Sequence, residues 1–281
     1  MSYKDGFDAN RGAWNATKGL LWRILSLGGE RSGDRAWMIY SLARAFVDAN
    51  IKKTFTAELE ESFVRRSVKK GQICIDVGAN IGSFTHLLSM LVGLTGQVHS
   101  IEPTPSAFDV LSKRVALFRL KNVRCHPVAL GDCEGIGELV GGTGRPGDRA
   151  FAHLKASAEN EAPVIQNIPL TTLDSLVADQ NIGHIEFIKC DVEGFELMVF
   201  TGGQNVLTQY RPIVLCEVED RWMRYGYTTA DFFLLFHTLG YSSFVWREGR
   251  LSSVDGALPY VNNYIYIPQE RVDAVVSELR G

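Results

Sequence analysis

Apolar residues follow two rhythms along this chain, and the changes between them mark out the elements. Residues 73–77, 97–102, 122–130, 185–190, 211–219, 241–246 and 263–267 are short, β-branched or aromatic runs that read as seven strands of one sheet. Residues 162–170 have strand character too. Between them, helical spacing covers residues 85–94, 106–120 and 229–239, and a further helix starts over residues 172–178, with Thr172 or Asp174 available to cap it. Ser106 is a candidate N-cap for the helix it opens. Strands alternating with helices predict an α/β doubly wound sheet. The last two strands lie close in sequence across a turn-rich link, which predicts an antiparallel pair at the sheet edge. Residues 13–66 read as three helices, broken at Gly28-Gly29 and Ser32-Gly33. The expected organisation is a helical N-terminal extension over residues 1–54 and a Rossmann-like domain over residues 55–281.

The domain is organised around Ile73-Cys-Ile-Asp-Val-Gly-Ala-Asn-Ile-Gly-Ser-Phe84, a strand, a glycine turn and a helix start. Such a unit binds its ligand at the strand's carboxyl end. The dinucleotide fingerprint G-x-G-x-x-G fails here, because Asn80 and Ser83 stand where its second and third glycines belong. No Gly-Lys-Ser/Thr follows, so a phosphate loop fails as well. Asp76, two residues before Gly78, would repel a pyrophosphate and favour a cation. S-adenosylmethionine, a sulfonium with an ammonium and no phosphate, suits that chemistry; a strand and turn with no ligand is the alternative.

Glu102 ends the second strand, 20 positions after Gly82. A ribose-binding carboxylate is expected about there. Asp132 closes the third strand, where it either accepts from an adenine amino group or simply forms a turn beside glycine. The tract Gly141-Gly-Thr-Gly-Arg-Pro-Gly-Asp148 is a candidate substrate lid or a plain surface loop.

The fourth core strand runs into Lys189-Cys-Asp-Val-Glu-Gly-Phe-Glu196. In a doubly wound sheet it lies beside the organising strand at the switch point, so Lys189, Asp191 and Glu193 fall near the ligand. Asp191 is a candidate to position the cofactor or the acceptor, and any of the three is a candidate to orient an acceptor hydroxyl or take its proton. An internal salt bridge and complements to a helix dipole are the structural alternative. Glu217 and Glu219 share a face of the next strand, where with Asp191 they would offer oxygens to a metal. No Asp-Asp-Asn cluster supports that, and no metal is expected. Trp222, Arg224, Tyr225 and Tyr227 would wall an acceptor site or pack as a loop.

Composition narrows the classes little further. A chain of 281 residues that is 46% hydrophobic carries ample core, and a net charge of −3 argues against a nucleic-acid surface. The five cysteines form no Cys-x-x-Cys pair, so neither a disulfide framework nor a zinc site is expected, and reduced thiols in a cytoplasm fit best. No apolar run of spanning length occurs and the polar start is unlike a signal peptide. Membrane contact through Lys18, Arg23 and their leucine neighbours is disfavoured against packing on the domain or a second subunit.

Taken together, Ile75-Asp-Val-Gly-Ala-Asn-Ile-Gly82, Glu102-Pro-Thr-Pro105, Ala129-Leu-Gly-Asp132, Thr172-Leu-Asp174 and Ile188-Lys-Cys-Asp-Val-Glu-Gly-Phe-Glu196 resemble the successive signatures of the FkbM family of S-adenosylmethionine-dependent methyltransferases. The resemblance spans about residues 58–267. It implies a seven-stranded, mostly parallel methyltransferase sheet with helices on both faces, and O-methylation of hydroxyls on sugars, polysaccharide components or macrolide-type natural products, mostly in bacteria. It assigns cofactor contacts to Asp76, Gly78, Asn80, Gly82, Glu102 and Asp132, and leaves roles within Lys189, Asp191, Glu193 and Gly194 open. Cys190 departs from the aliphatic residue usual there. The expected partners are S-adenosylmethionine and a hydroxylated small molecule or saccharide, without nucleic acid; a homo-oligomer is allowed. An NAD(P)-dependent oxidoreductase and a non-catalytic binding module of the same fold are the rival readings.

Overall fold

A computed structural model of the chain describes residues 59–141, 153–156 and 164–280. The expected helical extension over residues 1–54, and with it Lys18 and Arg23, lies outside the described residues, as do residues 142–148 of the glycine tract.

One sheet carries the domain. Helix α1 (Leu59–Ser67) leads into β1 (Ile73–Val77), which continues through α2 (Ser83–Val92), β2 (Gln97–Ile101), α3 (Pro105–Leu117) and β3 (Val123–His126). After a detour described below come β8 (Phe187–Cys190), α5 (Glu196–Thr201), α6 (Gln204–Tyr210), β9 (Ile213–Glu217) and a 3₁₀ turn (Asp220–Tyr225). Helix α7 (Thr229–Thr238), strands β10 (Tyr241–Arg247), β11 (Arg250–Ser253) and β12 (Asn263–Pro268), and helix α8 (Val272–Arg280) complete it. The strand order is β11-β10-β12-β9-β8-β1-β2-β3. β1 pairs in parallel with β2 on one side and β8 on the other, so chain direction reverses its walk across the sheet at β1. β2–β3 and β8–β9 are parallel, whereas β12 joins β9 and β10 antiparallel, and β10 joins β11 likewise. The sheet thus has eight strands where seven are expected. The extra one is β11, a short polar hairpin return with little apolar signal, and the parallel part is confined to five strands.

The period-two alternation of the strands divides the core between the two faces. Ile75, Val77, Ile188, Cys190, Val214 and Cys216 face Leu173, Phe200, Phe232 and Phe236. Cys74, Val98, Phe187, Ile213 and Leu215 face Phe63, Val64, Leu88, Val92, Val275 and Leu279. Continuous apolar runs such as Ile213 to Cys216 follow from burial on both sides.

The third expected strand, residues 122–130, is two. It stops at His126, and the chain beyond Pro127 re-forms as β4 (Ala129–Gly131) in a second, four-stranded sheet of order β4-β7-β5-β6. Its other members are β5 (Gly135–Val140), β6 (His153–Leu154) and β7 (Val164–Thr172). Proline offers no N–H to a ladder, which explains the break. From β7 the chain enters helix α4 (Leu173–Asp179), capped by the Thr172 hydroxyl accepting from Ser175 N–H at 3.0 Å. Thr104, not Ser106, stands at the N-cap position of α3, without a side-chain cap bond, and Pro105 follows in the first turn. Among the described residues no helix is long and apolar enough to cross a membrane, and all five cysteines are free.

The two sheets are tied together where the turn between α5 and α6 presses on β4. A Cβ at Gly202 would overlap the carbonyl oxygen of Gly131. Gly202→Ala should therefore lower stability by about 1–3 kcal/mol through forced displacement of backbone. A thermal melt reads this directly, and an unchanged midpoint would refute the close approach.

Candidate active site

The carboxyl ends of β1, β2 and β8 open into a cleft whose far wall is the second sheet. Val77, Gly78, Asn80, Ile101, Glu102 and Thr104 line it from the first two strands, and Asp191, Val192, Glu193 and Phe195 from the third. Leu130, Leu139, His153 and Leu154 close the opposite side. Three carboxylates line this cleft and, among the described residues, no lysine or arginine does.

The β1 turn is shaped by left-handed backbone at Gly78, Asn80 and Gly82, with φ of 73°, 49° and 83°. Gly78 and Ala79 N–H groups both donate to the carbonyl of Ile101, at 3.0 and 2.9 Å, so the turn is fastened to the end of β2. Side chain is excluded at Gly78 by a neighbouring strand: a Cβ would collide with the backbone carbonyl of Asp191. Gly82 does not line the cleft. It begins α2, and a Cβ there would meet Leu111 of α3 at 2.6 Å.

Glu102 is 5% exposed and braces two turns at once. Its Oε2 accepts from Asn80 N–H at 2.8 Å and its Oε1 from Thr104 N–H at 2.7 Å. Burial pushes its carboxyl up, and these hydrogen bonds oppose the rise. The Thr104 side chain bonds to it as well, so three donors take up most, but not all, of its acceptor capacity.

Asp76 is placed differently from the expectation. It is fully buried and does not line the cleft, because strand alternation turns it to the face opposite Ile75 and Val77. There it accepts from the Thr85 hydroxyl at 2.6 Å, while its Oδ1 has no hydrogen-bond partner. Burial raises its carboxyl and the ammonium of Lys189 counters this. Asp132 is exposed and also outside the cleft lining, since β4 has left the main sheet.

Of the three candidate catalytic residues, Asp191 and Glu193 line the cleft and Lys189 lies behind it, 7% exposed. Lys189 Nζ donates to Asp191 Oδ2 at 2.8 Å and sits opposite Asp76 in the β1–β8 register. Burial alone would lower its pKa, but Asp191 and Asp76 outweigh that and hold it charged. Burial alone would raise Asp191, yet Lys189, a hydrogen bond with Glu217 and Arg221 bring it below the usual carboxylate range. Glu193 is ion-paired with Arg221, which also reaches Glu219 at 2.7 Å. Lys189 and Asp191 thus form the internal salt bridge foreseen as an alternative, while Asp191 still presents a side chain 36% exposed.

Glu196 holds the loop that carries these groups. Its Oε1 accepts from Val192 N–H at 2.9 Å and Gly194 N–H at 3.1 Å. Glu196 stands in the quoted signature, though its clamp role needs the fold to be seen. His153, Leu139 and Leu154 carry no local sequence signal, because they reach the cleft from a separate sheet. Trp222 is core, 2% exposed, and Tyr225 packs on Phe195 and donates to the Leu154 carbonyl at 2.6 Å. No group of three or more His, Cys, Asp or Glu positioned for a metal occurs among the described residues.

Residues 76–243, more than half of the chain, match the family described as the methyltransferase FkbM domain. No curated protein matches. Among solved structures, the chain is similar to a methyltransferase FkbM from Methylobacillus flagellatus, with 14% identity and a TM-score of 0.46 over 72% of this chain and 44% of that one. It is also similar to an S-adenosylmethionine-dependent O-methyltransferase from Thermotoga maritima (12% identity, TM-score 0.41, 79% of this chain and 69% of that one). A third is Aeropyrum pernix fibrillarin with natively bound S-adenosyl-L-methionine (11%, 0.42, 75% and 74%). The family assignment rests on the family match, since each of these likenesses is distant.

Burial raises the Glu196 carboxyl from its ordinary 4.5 to about 7. The folded chain thus holds that proton more tightly than the unfolded chain, a contribution complete below pH 4.5 and lost as pH rises through about 7. Glu196→Gln keeps an acceptor oxygen for both N–H groups without titrating. Between about pH 5 and about pH 8 the wild type should lose stability relative to this variant. Denaturant midpoints across that range check it; parallel curves would exclude the buried acid.

Proposed function

Because this chain belongs to the FkbM family of methyltransferases, which use S-adenosylmethionine, we propose that it transfers the methyl group to a hydroxyl oxygen of a sugar, polysaccharide component or natural product. The observation that carries this reading is the carboxylate-lined cleft, without lysine or arginine among the described residues, at the point where the walk across the sheet reverses. A phosphorylated dinucleotide would meet repulsion there, whereas a cationic sulfonium with an ammonium group is attracted. That donor set fits S-adenosylmethionine, which when bound supplies a methyl group activated by the positive sulfur.

Glu102 would take the ribose hydroxyls on the acceptor capacity that Asn80 and both groups of Thr104 leave free. Leu130, Leu139, Leu154 and Phe195 offer apolar surface for an adenine ring. Asp191 would hold the ammonium group or the acceptor hydroxyl. The acceptor approaches from the β8–β9 side, where Asp191 and Glu193 stand at the cleft. The protein's contribution is mainly alignment of the two reactants, with loss of the hydroxyl proton assisted by a carboxylate.

Glu102→Ala should weaken S-adenosylmethionine binding by about 1–3 kcal/mol, because the ribose loses a charged acceptor. Isothermal calorimetry checks this beside a Glu102→Gln variant that retains acceptor capacity at one oxygen. Unchanged affinity in Glu102→Ala would remove Glu102 from the site. Binding of NAD without S-adenosylmethionine would overturn the whole reading.

A further inference from the structure

Glu217 lies just outside the residues lining the cleft, yet it touches one that does. The β8–β9 register sets Cys190 opposite Cys216, so the next residue on each strand, Asp191 and Glu217, emerges side by side at the lip of the sheet. Their carboxyl groups are hydrogen-bonded to each other. Two carboxyl groups so placed share one proton at neutral pH, because a second negative charge beside the first would be repelled. Asp191 also receives Lys189 Nζ at 2.8 Å, and Arg221 lies near it, which fixes the negative charge on Asp191 and the proton on Glu217.

We propose that Glu217 is a positioning residue for methyl transfer, holding Asp191 between its own carboxyl proton and the Lys189 ammonium so that Asp191 presents a fixed, ionised oxygen to the acceptor hydroxyl. This rests on the reading of the chain as an O-methyltransferase. As the acceptor oxygen's lone pair forms the bond to the methyl carbon, the carbon–sulfur pair stays on sulfur and the hydroxyl proton passes to Asp191. Asp191 returns it to solvent through the cleft. Asp191, with its lowered pKa, is a weak base, which suffices for a proton that becomes strongly acidic as the new bond forms.

The surroundings bear on how the pair titrates. Burial, then the charge on Asp191, pushes Glu217 up to about 9. Glu219 adds to that rise and Lys189 opposes it. Asp76 faces Lys189 from β1, and Arg221 is shared with Glu193 and Glu219. From β12, Asn263 sits opposite Glu217 and is uncharged. Once Glu217 ionises, two negative groups repel across the lip and Asp191 loses its fixed orientation.

The test uses the full chain, tritiated-methyl S-adenosylmethionine and a panel of methyl glycosides as probes, with infrared difference spectra recorded alongside. The wild type should retain a protonated carboxyl at neutral pH that titrates near pH 9 and vanishes in Glu217→Gln. Its turnover should fall above that pH. Glu217→Gln, whose amide still donates to Asp191, should keep activity and lose the alkaline fall. Glu217→Ala should lower kcat by about tenfold to a hundredfold with the affinity for S-adenosylmethionine unchanged. An alkaline limb surviving in Glu217→Gln, or no carboxyl titrating near pH 9, overturns the proposal. Cofactor binding without label transfer by the wild type to any probe would instead sink the O-methyltransferase reading, and the infrared result would still decide whether the pair exists.

Discussion

The site depends on one close approach between two strands that are far apart in sequence. The turn after β1 lies so near the backbone carbonyl of Asp191 that only glycine fits at residue 78. That contact sets the level of the β8 loop against the β1 turn, while Asp191 N–H donates to Val77 at 3.0 Å just below it. From the other side, the Ile101 carbonyl and the Glu102 carboxylate fasten the same turn to β2. The cleft is the space left above these three tied ends, so the strand ends that carry its acidic lining are positioned by backbone contacts.

Charge beneath the lip is arranged in alternation. Asp76, Lys189, Asp191 and Glu217 form a row from β1 through β8 to β9, with Lys189 flanked by Asp76 and Asp191. A buried ammonium without such partners would shed its proton. Here it stays charged and holds Asp191 ionised at the edge of the cleft, while the next carboxyl along keeps its proton. The electrostatics at the surface of the cleft therefore rest on groups outside its lining, Lys189 and Asp76 among them.

Much of this could be read from the chain, and the exceptions have physical causes. The glycine turn, Glu102 and the acidic end of β8 all follow from strand and turn chemistry plus the rule that ligands sit at a switch point. The direction of Asp76 was also encoded, in its alternation with Ile75 and Val77, but a residue near a strand end is easily read as lip rather than underside. Asp132 was misplaced because Pro127 diverts the chain into a second sheet, and apolar periodicity alone does not say which sheet a strand joins. The same diversion brings Leu139, His153 and Leu154 to the cleft from a separate layer. The contact between Asp191 and Glu217 needs the β8–β9 register, a long-range fact that no local pattern carries.

The central claim is that this lip, tied together at Gly78 and Asp191 and lined by carboxylates, receives a sulfonium cofactor. A crystal structure of the protein grown with S-adenosylmethionine measures it most directly. The account predicts the cofactor in the cleft between the β1 turn and the Asp191 loop, its ribose hydroxyls on Glu102. A cleft found empty at saturating cofactor, or a cofactor seated with Glu102 and Asp191 both out of contact, would contradict it.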